Sequence, residues 1–401
     1  MENWLLRLLE PKIEFHFYET EIDTKPVVLL EIAPAYRHPV RFNGIEYIRL
    51  GEIKKKLKDL PEKERTLWRV FDNIPFERQM AATDLDEPDV LKLLEYPAYF
   101  DLLNLPLPEN RSGIIEALEN DELIAKQDNG KFSITNLGAI LFAKDLSKFI
   151  HLKRKAIRLI QYDGNTKLKT IKEIQGNKGY AIGFEGLINY INDILPSNEV
   201  IGSAFRKSVK MYPELAIREL VANAIIHQDF FQTGNSVMIE IYDNRIEITN
   251  PGEPLVDTER FLDAPPKSRN EILASFMRRI NICEERGSGI DKVVYQTEVF
   301  QLPAPIFRVA NGSTVSILFA HKKLREMNKQ DRIRATYLHA CLRYIQNDFM
   351  TNTSLRERFG IEVRNRSLVS KIINEALMAE KIKIYDETVG TKAREYVPWW
   401  A

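Results

Sequence analysis

At 401 residues the chain is too long for one ordinary core, and two to four domains are expected. Its 44% hydrophobic and 28% charged residues are those of a globular protein, and 57 Lys+Arg against 57 Asp+Glu leave no net charge, so any nucleic-acid surface must be a local patch. Cys283 and Cys341 are too far apart and too few for a disulfide framework or a zinc site, and the apolar run in M-E-N-W-L-L-R-L-L-E is too short for a membrane span and lacks a cleavage pattern. A cytoplasmic protein without membrane contact is the expectation.

Residues 1–72 begin with alternating stretches that predict strands, I-E-F-H-F-Y, V-V-L-L-E-I and I-E-Y-I-R-L-G. K-K-K-L-K-D-L-P-E-K-E-R then predicts a charged helix, and the whole reads as the back half of a mixed α/β unit. Residues 73–150 turn helical, in V-L-K-L-L-E-Y-P-A-Y-F-D-L-L and I-I-E-A-L-E-N-D-E-L-I, and end in a ribbon turning at Asn129-Gly130. That order is the order of a winged helix, with acidic charges that favour packing or dimerisation over DNA reading. Residues 151–325 hold a strand (A-I-R-L-I-Q-Y), two helices, and the strands V-M-I-E-I-Y and R-I-E-I-T joined at Asp243-Asn244. A Pro/Gly-rich loop, two more helices around Gly-Ser-Gly and a last strand, V-S-I-L-F, complete an α/β sandwich. After a linker, H-K-K-L-R-E-M-N-K-Q-D-R, residues 326–401 predict a short helix capped near Thr351 to Thr353, a second helix from Val363, and a β-wing. The expected class is a multidomain α/β (α+β) chain of four domains.

One helix stands out. In I-R-E-L-V-A-N-A-I-I-H-Q-D-F, spanning Ile217 to Phe230, Glu219, Asn223 and His227 follow one another at four-residue steps. Such positions drift by only about 40° per step and line one face, while Leu220, Val221, Ala224 and Ile225 turn elsewhere and can pack on a sheet. A polar solvated stripe would explain the row by itself. Its sequel points further, because N-P-G-E-P ends a strand and E-R-G-S-G-I-D follows later. A carboxylate can orient or deprotonate water for attack on a phosphoryl group, an amide oxygen suits Mg²⁺, and glycines let backbone N–H groups approach phosphates. There is no G-x-x-x-x-G-K-[ST] loop, which excludes a P-loop NTPase.

E-L-V-A-N-A-I-I-H, I-E-I-T-N-P-G and E-R-G-S-G-I, in that order, resemble the GHKL ATPase superfamily of gyrase, Hsp90, MutL and histidine kinases. Y-P-E-L-A-I-R-E-L-V-A-N-A-I-I-H-Q-D-F, S-R-N-E-I-L-A and E-E-R-G-S-G-I-D-K-V are similar to its divergent "RecG-like" branch of prokaryotic transcriptional regulators. There, a Schlafen/AlbA-like domain precedes the ATPase-like module and a winged helix often follows it. The resemblance covers nearly the whole chain and implies ATP and Mg²⁺ as cofactors. It makes Glu219 the candidate base, Asn223 the metal ligand, Asn250 the adenine contact followed by Gly252, and Gly287, Ser288 and Gly289 the phosphate-side turn. Asn250 stands where most relatives have aspartate. Its amide oxygen still accepts from the adenine amine but carries no charge, which argues for binding more than for hydrolysis. His227 reads either as a pocket residue or as an imidazolium bracing the negative end of its helix. Arg269-Asn270 falls in the nucleotide-lid segment of relatives, where the arginine either senses phosphate or braces the loop.

At the N-terminus Y-I-R-L-G resembles only the second half of a Schlafen/AlbA-like domain. Glu14 is the lone nuclease candidate, more simply a strand-surface charge. In the C-terminal domain, Arg364, Asn365, Arg366, Ser367 and Lys371 lie near the start of the second helix, where recognition helices meet the major groove, and Arg356, Arg358, Lys392 and Arg394 are candidates to hold phosphates. A dimerisation winged helix is the competing reading, and Trp399 and Trp400 read as packing on the wing. The leading expectation is a homodimeric, ATP-binding, duplex-DNA-binding regulator. The alternatives are a GHKL-type ATPase doing mechanical or defence-related work and a catalytically inactive dimerisation scaffold.

Overall fold

The computed structural model describes residues 4, 7–10, 15–22, 25–32, 39–71, 75–127, 129–201, 206–283, 289–390 and 393–401. They form two compact units, Met1–Pro75 and Phe76–Ala401. In the first, Leu9–Glu10, Arg41–Phe42, Ile45–Leu50 and Ile53–Lys56 make an antiparallel sheet, and Phe15–Ile22 pairs with Lys25–Ile32 as a separate hairpin. The lysine-rich stretch expected to be helical is divided. Lys54, Lys55 and Lys56 finish a strand, and the helix covers only Pro61–Phe71. Proline has no N–H to donate and fits only a helix's first turn, so Pro61 sets the start. Glu14 lies outside the described residues.

The second unit opens with the strand Met80–Leu85, helices Glu87–Leu93, Tyr96–Leu103 and Arg111–Asn120, the strands Ile124–Lys126 and Phe132–Thr135, and the helix Asn136–Phe142. The first strand joins the other two as a third. M-A-A-T-D-L has no period-two apolar pattern, which is why the sequence did not reveal it.

Six strands then build the central sheet: β1 (Arg158–Tyr162), β2 (Thr170–Gln175), β3 (Met238–Tyr242), β4 (Arg245–Pro251), β5 (Ile306–Ala310) and β6 (Ser313–Phe319). Their order is β2-β1-β3-β4-β6-β5, with β1 and β3 parallel and the other pairs antiparallel. Tyr242 pairs with Arg245, so Asp243-Asn244 is the tight turn the sequence predicts. The helices of this region are α1 (Tyr180–Ile194), α2 (Glu214–His227), α3 (Glu271–Arg279) and α4 (Gly289–Val299). On α2, Leu220, Val221, Ala224 and Ile225 are buried in one cluster with Ile239, Ile241, Ile246 and Ile248 of the sheet. The helical and strand periods thus bring two apolar stripes face to face. Phe76, Leu137 and Phe142 belong to the same cluster, so residues on both sides of position 150 share one core. Strand β2 is exposed along almost its whole length and, like β5, sits at a sheet edge. Its lysine and glutamate suit an edge and hide it from hydrophobic patterning.

The C-terminal region consists of α5 (Lys329–Ile345), α6 (Asn352–Arg358), α7 (Arg366–Met378) and the antiparallel strands β7 (Ile382–Ile384) and β8 (Tyr396–Pro398). Asn328 accepts from the Asp331 N–H at 2.8 Å, so α5 begins inside the stretch read as linker. Thr351 caps α6 in a reciprocal pair with Ser354. The second helix expected from Val363 starts at Arg366, after a single tighter turn over Val363–Asn365. Val294 of α4 is buried with Ala335, Leu338 and Leu342 of α5. Among the described residues no helix is long and apolar enough to cross a membrane.

Candidate functional site

With its apolar stripe turned to the sheet, α2 presents Glu219, Asn223 and His227 to a cavity of about 420 Å³. Glu219 is 5% exposed, while Asn223 and His227 are half-buried. The floor comes from β4 and β6, where register places Asn250 opposite Thr314, with Ser316 two residues along the same strand face. Farther along those strands Ile248 and Leu318 pass under α2. One sheet face is therefore apolar beneath the helix and polar where the cavity opens.

Two glycines close the approach. A Cβ on Gly289, the first residue of α4, would lie 2.8 Å from Glu219 Oε2 and 3.2 Å from Asn223 Nδ2. Gly252, at φ +100°, has no room for a Cβ either, which would meet Arg269 Nη1 at 2.5 Å. Its N–H donates to Gly312 O at 3.0 Å and its carbonyl accepts from Thr314 Oγ1 at 2.8 Å, which pins N-P-G beside β6. Glu219, Asn223, Asn250 and Gly289 thus meet in one place, although the sequence spreads them over three motifs. Gly287 and Ser288 lie outside the described residues.

The end of α2 explains S-R-N. A helix leaves its last carbonyls without intrahelical partners, and here they are buried. Asn270 Nδ2 donates to Ile226 O at 2.7 Å and to Gln228 O at 2.8 Å. Arg269 Nη1 donates to His227 O at 3.0 Å and Nη2 to Glu253 O at 3.0 Å. Asp229 N–H completes the clasp on Pro251 O at 2.7 Å. Asn270, expected at the ligand, is instead 3% exposed and held by backbone. Arg269 borders the cavity but braces the loop. His227 lines the cavity, and burial first and the Arg269 charge second hold its pKa below the usual histidine value, which disfavours an imidazolium at the helix end.

Several cavity residues carried no motif. Thr314 and Ser316 were legible only as the polar positions of an alternating strand, and Arg278 of α3 and Lys267 bring positive charge. Among the described residues Arg278 has no ion pair. Cys283 also borders the cavity, and burial pushes its thiol up to about 11, which favours the protonated thiol at neutral pH. No group of three or more His, Cys, Asp or Glu among the described residues could hold a metal ion.

In the C-terminal region Arg364, Asn365, Arg366, Ser367 and Lys371 are exposed around the start of α7. Arg356 is half-buried and donates to Ile361 O at 3.1 Å, and Arg394 is half-buried. Arg358, expected to hold a phosphate, is turned inward instead. It is 5% exposed, donates to Leu302 O at 2.7 Å and pairs with Glu298 at 3.3 Å, so it cannot reach a phosphate. Lys392 lies outside the described residues. Trp400 packs on α5 rather than the wing, its Nε1–H donating to Tyr337 Oη at 3.0 Å and its ring meeting Tyr344 edge-on at 5.5 Å.

Residues 234–319 match the family described as "Putative ATP-dependent DNA helicase recG C-terminal". The match supports a GHKL-type, RecG-like ATPase domain. It includes Asn250, Gly252, Gly289 and Thr314 and stops short of α2. The whole chain is also similar in fold to the crystal structure of the DIP2311 protein from Corynebacterium diphtheriae. That likeness covers 99% of this chain and 78% of the other, with a TM-score of 0.50 and 17% identity. No curated protein matches the sequence.

Proposed function

We propose that this chain is an ATP-binding regulator that acts as a homodimer, binds duplex DNA through the α6–α7 region read as a winged helix, and presents that region differently when nucleotide occupies the central cavity. The convergence of Glu219, Asn223, Asn250, Thr314 and Gly289 on one cavity carries the reading. Asn250 Oδ1 accepts from the adenine amine, and Lys267 and Arg278 attract the phosphates. A Mg²⁺ that keeps water and phosphate oxygens needs little from the protein, and Asn223 fits as its amide ligand beside the space that a Cβ at 289 would fill. Bound there, the ion would neutralise phosphate charge. Glu219 orients the attacking water where hydrolysis occurs.

Helix α4 supports the regulatory part. Its first residue, Gly289, borders Glu219 and Asn223, and Glu298 sits at its far end, roughly 14 Å along the axis. Glu298 lies 2.9 Å from His339 Nδ1 of α5 and pairs with Arg358 of α6, and His339 Nε2 is 3.1 Å from Ser354 Oγ. A displacement at one end of this rigid helix therefore reaches the DNA-binding region. The test is the duplex-DNA affinity of the full chain with and without a non-hydrolysable ATP analogue. A coupling of 1–3 kcal/mol would change affinity by roughly 5- to 150-fold, and Glu298→Ala should abolish most of that difference. Identical DNA affinity with and without bound nucleotide would remove the regulatory reading.

A further inference from the structure

Beside α7 runs a second groove of about 770 Å³, open to solvent and lined by residues 321–325, Met327 and Arg332 from one segment and by residues between Arg358 and Glu375 from another. In a chain of zero net charge its cations are concentrated: Lys322, Lys323, Arg325 and Arg332 come from one segment, Arg364 and Lys371 from the other. Among the described residues only two carboxylates line it, Glu362 and Glu375, and each is matched by a groove cation, Arg364 at 2.5 Å and Arg332 at 3.3 Å. Lys323 and Lys371 have no ion pair among the described residues. Lys322 and Arg325 make only long ones, 3.7 Å to Asp331 and 3.8 Å to Glu326.

The two segments are fixed to each other. Arg332 donates to Met327 O at 2.8 Å while pairing with Glu375 of α7, and Arg356 holds the turn after α6 through Ile361 O. Phe359, Ile361 and the 41% exposed Leu368 give the groove an apolar lining. Several cations brought to one open groove by two chain segments, some without a carboxylate partner close by, suit a run of phosphates.

We propose that this groove takes the sugar-phosphate backbone of duplex DNA, so that the segment joining the central sheet to α5 forms part of the DNA-binding surface. The assignment rests on the reading of α7 as the DNA-docking helix. It adds that Lys323 and Arg325, which lie outside any helix-turn-helix, contribute phosphate contacts. Both side chains are exposed, so replacing them leaves the fold intact.

The experiment is fluorescence anisotropy of the full chain with a labelled DNA duplex over a range of salt concentrations. It compares wild type, the double variant Lys323→Gln/Arg325→Gln, and Asn365→Ala/Arg366→Ala at the start of α7. Two lost phosphate contacts should flatten the slope of log affinity against log salt by about 1.8 and weaken binding roughly 10- to 100-fold at 0.1 M salt. Wild-type affinity and slope in the Lys323/Arg325 variant, with binding lost in the α7 variant, would overturn the groove and leave the α7 reading standing. No duplex binding by wild type at low salt would overturn both. Tighter binding of an RNA duplex of the same length would overturn the assignment to DNA.

Discussion

Replacing Asn270 with alanine should destabilise the second unit more than any other polar substitution near the cavity. The side chain is 3% exposed, and its one NH₂ group serves two carbonyls at the end of α2, Ile226 O and Gln228 O. A buried acceptor deprived of its donor costs about 1–3 kcal/mol, so the two together lose roughly 2–4 kcal/mol, since both draw on one group. At about 2 °C per kcal/mol for a unit of this size, the melting temperature should fall by roughly 4–8 °C. Thermal unfolding followed by far-UV circular dichroism measures it. Asn270→Asp keeps the volume but sets an acceptor against two acceptors, so it should melt lower still. A shift below 1 °C in the alanine variant, or an aspartate variant no worse than alanine, would refute the clasp.

Gly289→Ala should weaken nucleotide binding at least tenfold, because its Cβ would enter the cavity and crowd Glu219 Oε2 at 2.8 Å, a flexible side-chain end that can shift without unpacking the core; radiolabelled ATP binding reads it. Glu219→Gln keeps the shape and removes the base, so any turnover should fall by roughly 10²- to 10⁴-fold while ATP affinity is kept, and undiminished phosphate release would take Glu219 out of that role. Burial raises the Asp291 carboxyl to about 6, and one of its oxygens is buried without a hydrogen-bond partner. A carboxyl whose folded pKa lies above its unfolded value stabilises the fold when protonated and loses that contribution as pH rises through about 4 to 6. Asp291→Asn should therefore gain melting temperature relative to wild type as pH is raised from 5 to 8, and a constant difference would contradict the burial argument.

What the sequence made legible follows from what periodicity encodes. The row Glu219, Asn223, His227 was readable because the apolar residues around it fix the helix and its rotation, and Asn250 because N-P-G at a strand end matches a motif of the superfamily the sequence resembles. Asn270 was misread because a bond from a side chain to a backbone carbonyl 44 residues away leaves no trace in spacing. Arg358 was misread for a related reason. Sequence shows its charge and its neighbours on α6, but not that Glu298 of another helix has taken the guanidinium into the interior. The helix on Lys54 to Lys56 failed because a solvated strand and a solvated helix carry the same lysines, and only Pro61 marks where helix can begin.

The most direct test of the nucleotide site is calorimetric titration of the full chain with ATP, with and without Mg²⁺, beside Asn223→Ala and an Asn223→Ala/Gly252→Ala double variant. Saturable binding of one ATP per chain, strengthened by Mg²⁺, is expected. Asn223→Ala should lose that strengthening and keep metal-free binding, and the double variant should lose both. Wild-type binding in the double variant, or no saturable binding of ATP by the wild type, would contradict the nucleotide site.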